Sequence, residues 1–171
     1  MMIETARLKI IPLTPDQFAL LLEGQSLLEK ALGLEPSGHD LEEHTQSAME
    51  GLYTAALCHQ DQYYWYTNWQ IVLRAENVLV GSACFVGGPN ENGEVEIGYG
   101  MNQPFRCRGY MTEAVRAMCA WAFGQDGVRA VVAGTEMSNG ASGRVLEKSG
   151  MNVYKEDADC LWWRLDRAEF Q

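Results

Sequence analysis

The feature of this chain that most constrains its fold is a short basic turn between a strand and an amphipathic helix. The strand is predicted over 93–101, and Arg106, Arg108 and Gly109 form the turn. Apolar residues then recur at helical spacing over 109–124, so one face of this helix must be buried. The first amides of a helix lack intrahelical partners, and the helix dipole favours negative charge there. The turn therefore predicts an anion site, which we interpret as a site for a pyrophosphate.

Two other interpretations fit the same residues. An ordinary strand-to-helix connection with two solvated arginines would show the same pattern, because a short motif match is only a hypothesis. A dinucleotide-binding turn is the second, since Gly98 and Gly100 follow a strand. That motif needs a third glycine and a helix that begins at once, and neither is present.

Charge and composition narrow the classes of partner. The 171 residues suit one domain over 1–171, and a hydrophobic fraction of 47% indicates a sizeable core. Asp and Glu number 23 against 13 Lys and Arg, a formal charge of −10. This charge argues against nucleic acid as a partner and fits a cationic acceptor, unless it serves only solubility. No run approaches the ~18 apolar residues of a membrane span, so we expect no membrane partner.

Cysteine and histidine usage bears on location and metals. The 5 cysteines and 3 histidines show neither paired nor metal-ligand spacing. We therefore expect reduced thiols, a cytoplasmic location and no metal site. The N-terminus lacks the apolar core of a signal sequence, which agrees with that expectation. The sequence does not distinguish a monomer from a homodimer.

Hydrophobic periodicity predicts antiparallel strands first and a β-α-β-α-β-β order afterwards. The predicted strands are 3–11, part of 63–74, 78–86, 93–101, 128–134, 151–155 and 160–166. The first predicted helix is capped by Thr14 and has Pro15 at its first position. Two more cover 41–57 and 109–124, and a short one starts at Asn139. The aromatic residues Tyr63, Tyr64, Trp65, Tyr66 and Trp69 either line an acceptor pocket or, more commonly for such a stretch, belong to the core.

Three motifs carry a resemblance to a known family. They are Glu4-Thr5-Ala6-Arg7-Leu8, then Glu96-Ile97-Gly98-Tyr99-Gly100 with Arg106-x-x-Gly109-x-Met111-Thr112-Glu113-Ala114, and Asn139-x-x-Ser142-x-Arg144-Val145-Leu146-Glu147-Lys148-x-Gly150-Met151. In this order and separation the chain resembles the GNAT superfamily of N-acetyltransferases. Within it, the chain is most similar to the branch of ribosomal-protein N-terminal (alanine/serine) acetyltransferases. The motifs together cover nearly the whole chain.

The resemblance implies a fold and an activity. The fold is α/β (α+β), with a mixed, mostly antiparallel sheet of six to seven strands flanked by about four helices. The activity is direct transfer of an acetyl group from acetyl-CoA, as co-substrate, to a primary amine such as a protein N-terminal α-amine. A small-molecule or polyamine acceptor, and a non-catalytic acetyl-CoA-binding sensor, remain alternatives.

The resemblance also implies catalytic residues. Glu96 takes the family position of a base or water-positioning residue, and Glu94 lies on the same side of the strand. The alternative for Glu96 is a structural or substrate-binding carboxylate. Ser142 takes the position of the group that protonates the thiolate, or else satisfies a backbone amide at the helix start. Many members have a Tyr where this chain has Leu146, and Tyr154 is a further candidate without a motif.

Contacts to acetyl-CoA are implied for nine residues. Two of them depart from the family pattern, because Gly or Ala is usual at the position of Met111 and Gly is frequent at that of Cys107. A backbone amide survives both changes. For Asn139 a plain helix N-cap is an equal alternative. The nine implied residues are Met101, Arg106, Cys107, Arg108, Gly109, Tyr110, Met111, Thr112 and Asn139.

Overall fold

The computed structural model describes all 171 residues. The strands are β1 (Ile3–Glu4), β2 (Leu8–Pro12), β3 (Asn68–Leu73), β4 (Val78–Phe85), β5 (Glu94–Met101), β6 (Ala130–Glu136), β7 (Asn152–Glu156) and β8 (Cys160–Asp166). The α-helices are α1 (Pro15–Glu23), α2 (Gln25–Leu32), α3 (Glu43–Cys58), α4 (Tyr110–Phe123) and α5 (Gly140–Lys148). None of the helices has both the length and the apolar character needed to cross a membrane.

The eight strands form one sheet in the order β1-β2-β3-β4-β5-β6-β8-β7. All neighbours are antiparallel except β5 and β6, which run parallel. Parallel neighbours require a crossover, and α4 provides it. The parallel pairing covers only 94–96 against 130–132, so β5 and β6 separate beyond Glu96 and Val132. A gap therefore opens in the middle of the sheet.

Two apolar clusters attach the helices to opposite faces of the sheet. The main core joins the sheet to α4, whose Val115 and Met118 are completely buried. The smaller cluster joins α1, α2 and α3 to the sheet through Leu13, Phe18, Leu21, Leu28, Met49 and Ala56. Successive side chains along a strand point to opposite faces of the sheet, so the strand residues in each cluster show which face that cluster covers.

The aromatic stretch lies mainly in the main core. Trp69 is completely buried and Trp65 is 4% exposed. Their rings pack edge to face against Trp121 of α4, with centroids 4.9 Å apart in both pairs. This arrangement is favourable for aromatic rings. These two tryptophans therefore do not line an acceptor pocket.

The predicted fold class is confirmed, although the structure has eight strands and five α-helices. The predicted strand 3–11 is two strands, because the Thr5 side chain accepts a hydrogen bond from Leu8 N at 3.0 Å and closes a turn. The additional helix is α2. Gly24 takes an extended backbone conformation (φ 167°, ψ 137°) that ends α1 and allows α2 to begin at the next residue.

Candidate active site

A cleft of about 490 Å³ lies where the C-terminal end of β5, the N-terminus of α4 and one side of α5 meet. Ten of the eleven residues that the sequence assigned to the site line it. They include Met101 at the end of β5, Asn139 and Ser142 at the start of α5, and the whole segment Arg106–Thr112, here called the α4 loop. The exception is Glu96.

The α4 loop presents consecutive amides without partners. None of the six amides from Cys107 to Thr112 donates a hydrogen bond within the chain. Gly109 has φ +80°, and a Cβ added there would lie 3.4 Å from the Arg7 guanidinium. Glycine is therefore the residue that fits this position without strain. Several amides at a helix N-terminus that point outward form a site for a phosphate group.

The two departures from the family pattern have different structural consequences. Met111 is 6% exposed and packs in the main core, so its bulk is accommodated below the loop. Cys107 has φ +62°, the left-handed conformation that a glycine would adopt more readily. A non-glycine residue there costs roughly 1–2 kcal/mol. The amides of both residues remain without partners in the chain.

Arg7, near the start of the chain, is hydrogen-bonded to the α4 loop and to the first turn of α4. Its Nε donates to Glu113 Oε2 at 2.6 Å, and its Nη1 donates to Arg108 O at 3.0 Å. The guanidinium also lies 4.6 Å from the centre of the Tyr110 ring. Thr5 Oγ1 donates to the Glu113 carboxylate at 2.6 Å. Sequence reasoning missed this contact, and the only signal was that both partners belong to motifs of the resemblance.

The pairing keeps Glu113 ionised without adding net charge to the anion site. Burial acts to raise the pKa of Glu113, but hydrogen bonds from Thr5 and Arg7 outweigh it and lower that pKa below its ordinary value. A bare carboxylate in the first turn of α4 would repel a bound phosphate. The Arg7 cation compensates this charge, so the loop amides remain suited to an anion.

One wall of the cleft is the edge of β5 that faces the gap. Asn102 N donates to Val80 O of β4, and Glu96 O accepts from Val86 N, the residue that follows β4. Alternate residues of an antiparallel strand point their N–H and C=O groups to opposite sides, so Tyr99 and Met101 direct theirs toward the gap. Met101 O accepts a hydrogen bond from Arg106 Nε at 3.0 Å. The N–H groups of Tyr99 and Met101 are thus placed to pair with an extended ligand.

Glu94 and Glu96 share a face of β5 but differ in their surroundings. Glu94 pairs with Arg164 and accepts from Asn90 Nδ2 at 3.1 Å. The hydrogen bond from Asn90, followed by that from Arg164, lowers the pKa of Glu94. Glu96 has no ion pair, and burial raises its pKa above the ordinary value. Glu94 is therefore a structural carboxylate, whereas Glu96 is suited to accept a proton.

Glu96 lies at the apex of the gap, as the last residue of β5 that pairs with β6. Its neighbour Ile97 packs in the main core with α4. Glu96 therefore faces the opposite side of the sheet, where Cys84 packs against the α1–α3 cluster. Glu96 therefore lies at the start of the gap, on the face of the sheet opposite α4.

A pair of hydroxyl groups, one from the start of α5 and one from β5, lies in the cleft. Asn139 Oδ1 accepts from Ser142 N at 3.1 Å and caps the helix. Ser142 Oγ lies 2.8 Å from Tyr99 Oη, which belongs to β5. Burial raises the pKa of Tyr99, against the opposing effect of this hydrogen bond. Tyr99 is a candidate that the sequence missed, while Tyr154 lies on β7 away from the cleft.

The cleft is positively charged in a chain whose formal charge is −10. Four cationic side chains and no carboxylate line it, namely Arg106, Arg108, Arg144 and Lys148. None of the four forms an ion pair. Unpaired cations beside free amides favour a polyanionic ligand. No group of three or more His, Cys, Asp or Glu side chains is arranged to hold a metal.

Comparison with known proteins agrees with this geometry. Residues 7–152 match the family described as an acetyltransferase (GNAT) domain. The uncharacterized N-acetyltransferase YjdG of Bacillus subtilis is 34% identical over 98 residues, which are 57% of this chain and 58% of the relative. The match thus spans little more than half the length of that relative.

Solved structures share the fold over nearly the full length. A ribosomal-protein-S5-alanine acetyltransferase from Vibrio fischeri aligns with a TM-score of 0.72 at 14% identity, over 100% of this chain and 99% of that chain. A ribosomal L7/L12 α-N-protein acetyltransferase in complex with coenzyme A aligns with a TM-score of 0.67 at 16% identity, over 97% and 98%. At such identities the likeness concerns the fold alone. The family match, which covers most of the chain, shows that this protein belongs to the GNAT family of N-acetyltransferases.

Proposed function

We propose that this protein transfers the acetyl group of acetyl-CoA to a primary amine, and that the amine is a protein N-terminal α-amine. The observation that carries the proposal is the cleft, where six free amides of the α4 loop lie beside four unpaired cations. Two of the solved structures that share this fold are described as acetyltransferases of ribosomal proteins, and one of them contains coenzyme A.

The residues present fit the coenzyme. Acetyl-CoA supplies a thioester, which activates the acetyl group toward an amine. The amides from Cys107 to Thr112 hold the diphosphate, and the N–H groups of Tyr99 and Met101 pair with the pantetheine arm. A backbone donor near the thioester carbonyl stabilises the oxyanion that develops there, an effect of roughly 10²–10³ in rate.

Glu96 prepares the amine. An alkylamine has a pKa of about 10 and an α-amine a pKa of about 8, so each must lose a proton before it attacks. Glu96 has a raised pKa and no cation partner, and it faces the side of the gap opposite the coenzyme cleft. It takes the proton directly or through a water molecule. The pKa of an α-amine is closer to that of a glutamate than the pKa of an alkylamine is, and this smaller difference favours the α-amine as acceptor.

Ser142 completes the transfer. The bond between the amine nitrogen and the acetyl carbon forms, the nitrogen releases its second proton to water, and the bond between that carbon and the coenzyme sulfur breaks. The departing thiolate takes the proton of Ser142 Oγ, which regains a proton from solvent through Tyr99 Oη at 2.8 Å. The Leu146 side chain is completely buried and carries no proton to donate.

The proposal is tested by release of free thiol from acetyl-CoA with three acceptors. One is a short peptide with a free N-terminus, the second is the same peptide with a blocked N-terminus and an internal lysine, and the third is a polyamine. We expect thiol release and a mass increase of one acetyl group with the first peptide only. Release with the polyamine alone would make this a small-molecule acetyltransferase. Coenzyme binding without release on any amine would make it a sensor.

A further inference from the structure

The cleft contains two cations on α5 that the proposed transfer does not use. Arg144 and Lys148 are exposed, lie one helical turn apart, and both line the cleft. Neither forms an ion pair, although the chain has ten more acidic than basic residues. Like charges four residues apart on a helix repel each other. Helix stability therefore does not account for the presence of both cations. Lys148 alone, in the last turn, interacts favourably with the helix dipole.

The position of Arg144 extends this charge along the cleft. Its Nη1 lies 3.5 Å from the point that a Cβ on Gly140 would occupy, so the side chain reaches back toward the start of α5. Lys148 lies at the other end of the same helix. The two cations thus form a strip on α5, separate from the six free amides at the start of α4.

The two cations of the α4 loop, Arg106 and Arg108, lie in the same segment as the six free amides. Arg106 Nε is also bonded to Met101 O at 3.0 Å. The free amides between them supply enough donors for the oxygens of a diphosphate. A second phosphate group on the same ligand would find its positive charge on α5.

We propose that Arg144 and Lys148 form a second anion subsite, which binds the phosphate monoester on the ribose of the coenzyme. The inference rests on the proposed function, since it assigns a further part of the same ligand. A phosphate monoester carries nearly two negative charges at neutral pH, which the two cations match. The subsite makes the protein discriminate between coenzyme A and its 3′-dephospho form.

The test is calorimetric titration with coenzyme A and with 3′-dephospho-coenzyme A at low ionic strength. The wild-type protein should bind coenzyme A roughly tenfold more tightly, as two partly exposed ion pairs allow. Arg144→Gln and Lys148→Gln should each reduce this preference, and the double variant should remove it with a much smaller loss of affinity for the dephospho form. Added salt should weaken the preference in the wild-type protein.

Lys30→Gln is the matched control, since Lys30 is exposed on α2, forms no ion pair and lies outside the cleft. It should keep the full preference. Equal affinity of the wild-type protein for both ligands, or an undiminished preference in the double variant, would overturn the subsite and leave the diphosphate site intact. Failure of both ligands to bind would overturn the proposed function as well.

Discussion

Tyr99 Oη and Ser142 Oγ lie 2.8 Å apart and join β5 to the first turn of α5. The pair closes one side of the cleft where the two central strands have separated. Its two hydroxyl groups are supplied by elements that are 43 residues apart in sequence. A leaving thiolate in the gap would lie near the Ser142 hydroxyl group, which is already hydrogen-bonded to the Tyr99 hydroxyl group.

We predict that Ser142→Ala lowers kcat for acetyl transfer by roughly 10²-fold or more, the usual contribution of a positioned proton donor. Tyr99→Phe should lower kcat less, because Ser142 remains. The double variant should be little worse than Ser142→Ala, because residues that act together are not additive. Steady-state kinetics with saturating acetyl-CoA measure this. A Ser142→Ala enzyme with wild-type kcat would assign the Ser142 side chain to the hydrogen bond with Tyr99 alone.

We predict that Glu96→Gln removes the acid limb of the pH–rate profile. Burial raises the pKa of Glu96, so the wild-type rate should fall at a pH above the ordinary glutamate value of about 4.3. The variant should be slow, with the largest loss at pH values between the pKa of Glu96 and that of the amine, where the wild-type enzyme needs and has an ionised base. Glu94→Gln is the control on the same strand face and should keep the limb. A wild-type profile in Glu96→Gln would exclude Glu96 as the base.

Replacement of Glu96 should also change stability. A carboxyl group whose pKa is raised by folding destabilises the folded state at pH values above that pKa, and the penalty disappears as pH falls through it. Glu96→Gln removes this penalty, so its Tm should exceed that of the wild-type protein at pH 7 and approach it in acid. Thermal unfolding at both pH values measures the difference. A lower Tm at pH 7 would mean that the ionised carboxylate is structurally required.

We predict that Arg7→Ala weakens acetyl-CoA binding although Arg7 lies outside the cleft. The change removes the hydrogen bonds to Glu113 and Arg108 and leaves the Glu113 charge uncompensated beside the anion site. Calorimetry should show several-fold weaker binding, with kcat nearly unchanged at saturation. Arg7→Lys keeps the charge without the fork of donors and should be intermediate. Unchanged affinity in Arg7→Ala would show that the α4 loop holds its conformation alone.

The same contact predicts a pH dependence of stability. The pKa of Glu113 is lowered on folding, so its stabilising effect is present above the unfolded pKa and is lost as pH falls through the folded pKa. Urea unfolding of the wild-type protein should therefore show a loss of stability in acid that is smaller in Arg7→Ala. An identical acid loss in both proteins would assign it to other carboxyl groups.

The sequence predicted the parts of the site that are contiguous in the chain. The α4 loop and the start of α5 are each read from a few adjacent residues, because helix termini are built locally. The Arg7–Glu113 contact joins residues 106 positions apart, and no periodicity reports such a distance. The different environments of Glu94 and Glu96 depend on Arg164 of β8 in the same way. These parts of the site depend on tertiary contacts, which a local sequence pattern does not report.

The measurement that tests the central claim most directly is a crystal structure of the protein with coenzyme A. We expect the diphosphate oxygens to accept hydrogen bonds, at about 2.9 Å, from amides between Cys107 and Thr112. The pantetheine arm should lie along the edge of β5 at Tyr99 and Met101. A coenzyme bound elsewhere, with the amides of the α4 loop still without partners, would contradict the account.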